Sequence, residues 1–389
     1  MGFTVLVRDA TLTTIGQLSD YTSLTVVPRY TAVGAFTLTV AENSPQASLL
    51  VEGNGVQVFK GSTQVLSGPI RSVDWSRTAS SGGKGTLTVS GVDDMTVLAE
   101  ATCWPNPAAA IGSQGSTLYK ISAVAAETAM RALVNSNIGP GALSARKIAG
   151  LTLDTDLARG AAVTKQVNQF DNLLTVLQDI AKPARLGFRV VQIGAGLQFQ
   201  VYQPADRSLT ARFSFDLGNL TDASYTTTPP TMTRALVVAG GASSPRVCKL
   251  YDRTDTLFPA LVVEGFVDKT DVDTASVDLT AQMDQAADEA LTSGASQGSL
   301  SMTPIDIPGL AFGVDYSVGD IVSCQVRNTF FADVVREVTI NADSGSGTTV
   351  KATLGSSDSS DTSDVVAQIF KFLVQVKRTA ARLATRRQA

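Results

Sequence analysis

Over residues 1 to about 103 the chain alternates apolar and polar positions in short runs. Phe3–Val7, Ser23–Val27, Ala35–Val40, Gly55–Phe59, Pro69–Trp75 and Gly85–Ser90 each repeat with period two, the pattern of half-buried antiparallel strands. Turn residues separate them at Glu52–Gly55, Lys60–Gly61 and Ser80–Gly83. Many short strands leave many edges, and closing them into an antiparallel barrel or sandwich hides those edges.

The period changes near residue 93. Asp93 and Asp94 precede Met95, Val97 and Leu98, which reads as a short helix start whose acids suit the N-terminal dipole. Helices are predicted at about Lys120–Asn135 and Asn168–Ala181. The second carries Leu173, Leu174, Leu177, Ile180 and Ala181 as a stripe of period 3.6, and Lys182–Pro183 ends it. Gly187–Val191 and Leu197–Tyr202 read as a hairpin across Gly194–Gly196. Strands return at Ala211–Phe215 and Arg234–Ala239. They continue at Ala260–Phe266, Ser299–Met302, Ile321–Val326, Ala332–Ile340 and Thr348–Leu354, interrupted by a helix at about Thr274–Ser293.

The expected architecture is mainly β with an α+β insert. It comprises a β-barrel over 1–105 (completed by strands near 208–245), an α+β insert over 106–207, and a second β-barrel over 208–355 with a helical insertion. A polar linker, 356–364, follows. The last segment, 365–389, reads as a C-terminal amphipathic helix. Val366, Ile369, Leu373, Val376, Ala380 and Leu383 step by 3, 4, 3, 4 and 3, a heptad series for oligomer or partner contact. Lys371, Lys377, Arg378, Arg382, Arg386 and Arg387 decorate its other faces, which also allows contact with a membrane or nucleic acid. Three heptads are marginal without a neighbouring body.

Composition narrows the chemistry. The 389 residues are 44% hydrophobic and 17% charged, with a net charge of −4 and a pI near 5.0, against a dedicated nucleic-acid binder. There is no histidine, which removes Ser-His-Asp and Cys-His catalysis, HExxH chemistry and nearly all catalytic zinc sites. Cys103, Cys248 and Cys324 form neither a disulfide framework nor a zinc spacing and are expected reduced and buried. The N-terminus shows no secretory signal, Leu6 breaks the myristoylation pattern, and no apolar run approaches a membrane span, so assembly in a cytoplasm is expected.

The remaining candidates favour ordinary structure. Gly294, Ser296 and Gly298 spell GxSxG, but after a helix and before a strand, the reverse of a nucleophile elbow. Asp268, Asp271, Asp273 and Asp278 lack the spacing of a calcium loop and read as a solvated acidic loop. Gly53–Gly55 and Gly194–Gly196 read as turns rather than phosphate cradles. Asp74, Trp75 and Tyr202 are the residues a carbohydrate-binding or wall-hydrolysing protein would draw on, yet no two carboxylates can be paired from sequence. No catalytic residue, cofactor or metal is expected.

Several stretches together carry a family resemblance. These are Leu66–Arg71, Asp74–Arg77, Gly85–Leu98 ending at Trp104–Pro107, Asn172–Ala181 leading to Leu186–Val190, Phe215–Leu220 leading to Thr233–Gly241, and Tyr316–Val322 with Val335–Val338. Over about residues 3–355 the chain resembles the Pepy6-like minor tail proteins of siphophages, similar to baseplate hubs of long-tailed phages. The resemblance implies a structural virion protein at the tail tip: a homotrimer whose two similar barrels per subunit match a sixfold tube. It also implies an α+β lower layer, a channel that passes DNA, and neighbours among the distal tail ring, the tape measure protein and tip or fibre proteins. It supplies no catalytic residue.

Overall fold

Period-two patterning becomes strand through most of the chain, but the strands are not gathered as the sequence suggests. The computed structural model describes residues 3–354 apart from 78–84, 116–117, 241–244, 271, 273, 276, 327–328 and 344–346. The polar linker and the heptad segment lie outside the described residues. The chain divides into two compact units, one built from 1–205, 303–320 and 335–352, the other from 206–302 and 321–334 with the end of the described chain.

The first unit opens with β1 (Phe3–Arg8), β2 (Thr14–Leu18), β3 (Tyr21–Val27), β4 (Ala35–Ala41), β5 (Gly55–Lys60), β6 (Thr63–Arg77) and β7 (Gly85–Val92). The fifteen-residue β6 serves two pairings: its first half, to Pro69, runs against β5, and its second half, from Ile70, against β7. Gly68 lies at this switch because a Cβ there would stand 1.8 Å from the Val92 carbonyl oxygen. The order runs β2-β1-β5-β6-β7-β4-β3. Beyond β3 comes the far half of β20 (Thr329–Asp343), with Ile340 opposite Val26. Val5, Val7, Leu24, Val26, Leu38, Val58 and Val89 are inward residues of this sheet, at most 1% exposed. The path ends at β2, whose one strand partner among the described residues is β1. The expected closed barrel is therefore an open, folded sheet.

The α+β part follows the short α1 (Thr96–Ala99). Its elements are β8 (Tyr119–Ala125), α2 (Ala126–Asn137), β9 (Leu151–Leu153), β10 (Ala162–Val167), α3 (Leu173–Ala184), β11 (Gly187–Ile193) and β12 (Gly196–Tyr202). The helix expected from Lys120 begins only at Ala126, because the preceding seven residues pair with β10 instead. The second helix starts at the Asn172 cap, whose side chain accepts from the Thr175 N–H. It runs three residues past Ala181, with Pro183 in its final turn and left-handed Arg185 closing it. Its leucine stripe and α2 pack on the predicted hairpin β11–β12, with Phe188 and Phe199 rings 6.0 Å apart in the core.

Among the described residues the second unit likewise shows no closed barrel. Its strands are β13 (Arg212–Phe213), β14 (Leu220–Thr228), β15 (Arg234–Ala239), β16 (Val247–Asp252), β17 (Glu264–Lys269), β18 (Gln297–Pro304) and β19 (Ile321–Val326), and its helix is α4 (Leu279–Ser293). The last strand among the described residues is β21 (Gly347–Leu354). β15 sits between an antiparallel β16 and a parallel β17. Ala235, Val237 and Ala239 on one face of this mixed sheet bury against Met283, Ala286, Ala287 and Leu291 of α4. A helix thus supplies the cover that a barrel would have drawn from further strands. β19 pairs with the near half of β20, Ile321 opposite Val334, and with the short β13.

Candidate functional site

The residues singled out from sequence are not brought together. Ser296 is fully buried in the turn between α4 and β18, where its backbone N–H donates to the Asp255 carboxylate at 2.9 Å. Asp255 also accepts from the N–H groups of Leu257 and Phe258, so it pins loops. Asp268 is exposed and accepts from the Thr270 N–H; Asp271 and Asp273 lie outside the described residues. Among the described residues no three His, Cys, Asp or Glu side chains could hold a metal ion. Gly53 and Gly194 occupy open turns at positive φ. Asp74 and Trp75 lie on the exposed end of β6, and Tyr202 lies elsewhere in the same unit, on β12. Cys103 and Cys324 are buried, but Cys248 is exposed, against expectation, because β16 is an edge strand.

What the first unit does hold is a buried polar network invisible in the sequence. Arg8 on β1 donates through both terminal nitrogens to Asp94, at 2.5 and 3.0 Å, and also to Gln192 of β11 at 2.5 Å. Asp94 takes a further bond from the Ser67 hydroxyl, and its own N–H donates to the Ser67 carbonyl. Gln192 in turn donates to the carbonyls of Leu12 and Gly194. With hydrogen bonds on several sides, the pair fastens the folded sheet to the α+β layer. A second clamp, Glu127 with Arg159, uses two contacts of 2.9 and 3.0 Å inside that layer, and Arg131 pairs with Asp154 nearby.

Beside the network lies a cleft of about 810 Å³, counting the part open to solvent, lined among others by Arg29, Asp93, Phe188, Arg189, Tyr202 and Phe312. Its cations are engaged: Arg29 pairs with Glu337 at 2.5 Å, and Arg189 donates to Gln200 and lies over the Tyr202 ring. Burial pushes the Asp93 carboxyl up to about 7, against the N–H bonds it accepts from Gly34 and Met95. Burial likewise pushes the Tyr202 phenol up to about 12. Its lining thus includes one perturbed carboxyl and one perturbed phenol, together with the hydroxyl residues Thr63, Ser67 and Ser317. No helix among the described residues is long and apolar enough to cross a membrane.

The second unit presents an exposed apolar surface. On the face of β16–β15–β17 away from α4, the pairing aligns Leu250, Leu236 and Phe266 in one cross-strand row. Leu250 is 49% exposed and Phe266 61%.

This arrangement of strands and helices is that of phage tail proteins. The 43 kDa tail protein of prophage MuSo2 from Shewanella oneidensis has a similar fold at a TM-score of 0.60 and 13% identity, over 90% of this chain and 98% of that one. The tail protein from Neisseria meningitidis MC58 is similar at 0.59 and 13%, over 92% and 97%. Prophage tail protein gp18 from Listeria monocytogenes EGD-e is similar at 0.53 and 11%, over 95% and 99%. Among curated proteins none matches. Residues 4–356 match the family described as Siphovirus ReqiPepy6 Gp37-like protein, and the chain belongs to it. It is a siphophage tail protein, of a family of structural virion components.

Proposed function

We propose that this protein is the hub that closes the tip of the siphophage tail tube. It acts as a homotrimer with a central channel for DNA, between the distal tail ring and tape measure protein on one side and tip or fibre proteins on the other. The observation that carries the reading is the family match across residues 4–356, which takes in both units. The physical picture agrees with it. The buried charges found in the first unit fasten its layers together, and large apolar side chains stand outward in both units, among them Trp75 and Leu209. Ring subunits bury such side chains in heterologous contacts that close by symmetry. The protein works through interfaces and not through catalysis.

Light scattering of the purified protein is expected to give three times the chain mass, and electron micrographs of tails a threefold density at the tube end. A monomer at every concentration, with no such density in tails, would overturn the reading. Turnover of cell-wall glycan abolished by one Asp→Asn change would replace it with a hydrolase.

A further inference from the structure

The outer face of β16–β15–β17 is built for cover that the described residues do not provide. Its middle row, Leu250–Leu236–Phe266, is apolar. The row on one side is Asp252–Arg234–Glu264, where Arg234 is bonded to Asp252 at 2.6 Å, and the row on the other ends in Asp268. Both borders are mixed in charge, with Arg234 beside Asp252 and Glu264 and Arg246 near Asp268, so what the face asks of a ligand is an apolar stripe.

The sequence contains such a ligand. Residues 365–389 hold six cations and no acid, so the net −4 of the chain is +6 from this segment and −10 from residues 1–364. Its apolar positions repeat at heptad spacing from Val366 to Leu383, and a helix of that length spans about 27 Å, enough to cross a three-stranded sheet. The polar stretch 355–364 can reach about 35 Å when extended, roughly the width of a small domain. Three heptads with no partner are marginal in water, so a covering surface has to be found.

We propose that the outer face of β16–β15–β17 is the docking site of the chain's own residues 365–389. The row of Leu250, Leu236 and Phe266 receives the apolar heptad positions. The heptad series is thereby a latch on its own subunit.

The face carries its own reporter. Cys248 lies opposite Val238 on this side of the sheet and is exposed, whereas Cys103 and Cys324 are buried. The test is the rate at which iodoacetamide alkylates Cys248 in the full chain, followed by mass spectrometry, against a full-length variant carrying Ile369→Asp and Leu373→Asp. Docking predicts alkylation about tenfold slower in the unsubstituted protein, at a rate independent of protein concentration. Phe266→Asp, which alters the face and not the segment, should release the segment and raise its sensitivity to trypsin at Lys371 and Lys377. Unreactive Cys103 and Cys324 in every variant show that the body stays folded. Equal Cys248 rates in the unsubstituted and doubly substituted proteins overturn the proposal. So does protection that both share and that fades on dilution, which would make a second copy the cover. Capture of the segment by anionic vesicles with Cys248 fully reactive would assign it to a membrane instead.

Discussion

Arg8 and Asp94, 86 residues apart and each with a side chain 3% exposed, meet in a two-point ion pair that Ser67 and Gln192 complete. Removing one member strands the other's charge out of water. Arg8→Met or Asp94→Leu alone should cost about 3–5 kcal/mol, whereas the double change should recover much of that loss. Denaturant unfolding of the two singles and the double checks this, and additive losses would refute it.

Asp93 sets a pH dependence of its own. Its folded-state value of about 7 lies above the ordinary 3.8, so between those limits the folded protein holds a proton that the unfolded chain has lost. Stability contributed by the neutral carboxyl is therefore full below about pH 4 and fades as pH rises through about 7, by up to ~4 kcal/mol. Asp93→Asn should match the parent at pH 4 and exceed it at pH 8 in melting temperature.

Glu127 runs the other way. Burial works to raise its carboxyl, but the Arg159 side-chain and backbone hydrogen bonds outweigh that and hold it below the usual value. Its contribution is present above about pH 4.5 and is lost as pH falls through the lowered folded value. Glu127→Gln should cost about 1–3 kcal/mol at pH 7 and progressively less as pH falls below about 4.5, measured as unfolding midpoints across the range.

Gly68 has no room for a side chain. Gly68→Ala would push a methyl into the Val92 carbonyl and the Asp93 backbone at the point where β6 changes partners. A loss of about 2–3 kcal/mol is expected. Gly61→Ala is the reference: nothing lies near its Cβ position, so only the strain of its positive φ remains, about 1 kcal/mol.

The sequence was most legible where one element buries one face. The alternating runs of β3, β4 and β7 and the leucine stripe of α3 emerged close to their observed places. It misled where pairing breaks the period. In β8, left-handed Ala123 and the register shift opposite Val163–Lys165 scramble the alternation, so Ile121, Val124 and Ala125 look helical. β16 was missed because an edge strand with Val247 to Leu250 all exposed has no buried face to write into its pattern. Barrel closure failed for a similar reason, since period two reports that a strand is half-buried and not what covers it. Asp94 looked like a helix-dipole acid because nothing local announces a partner on β1.

The pairing of β3 with β20 gives the molecule a clock. On the ribosome, Val26 waits for Ile340, so the edge of β3 stays unpaired until some three hundred further residues have been made. An open edge in a protein destined for a crowded assembly invites wrong neighbours. Closing it with β20 ties completion of the first unit to synthesis through residue 343, so a chain cut short before β20 enters the assembly pathway with its sheet unfinished.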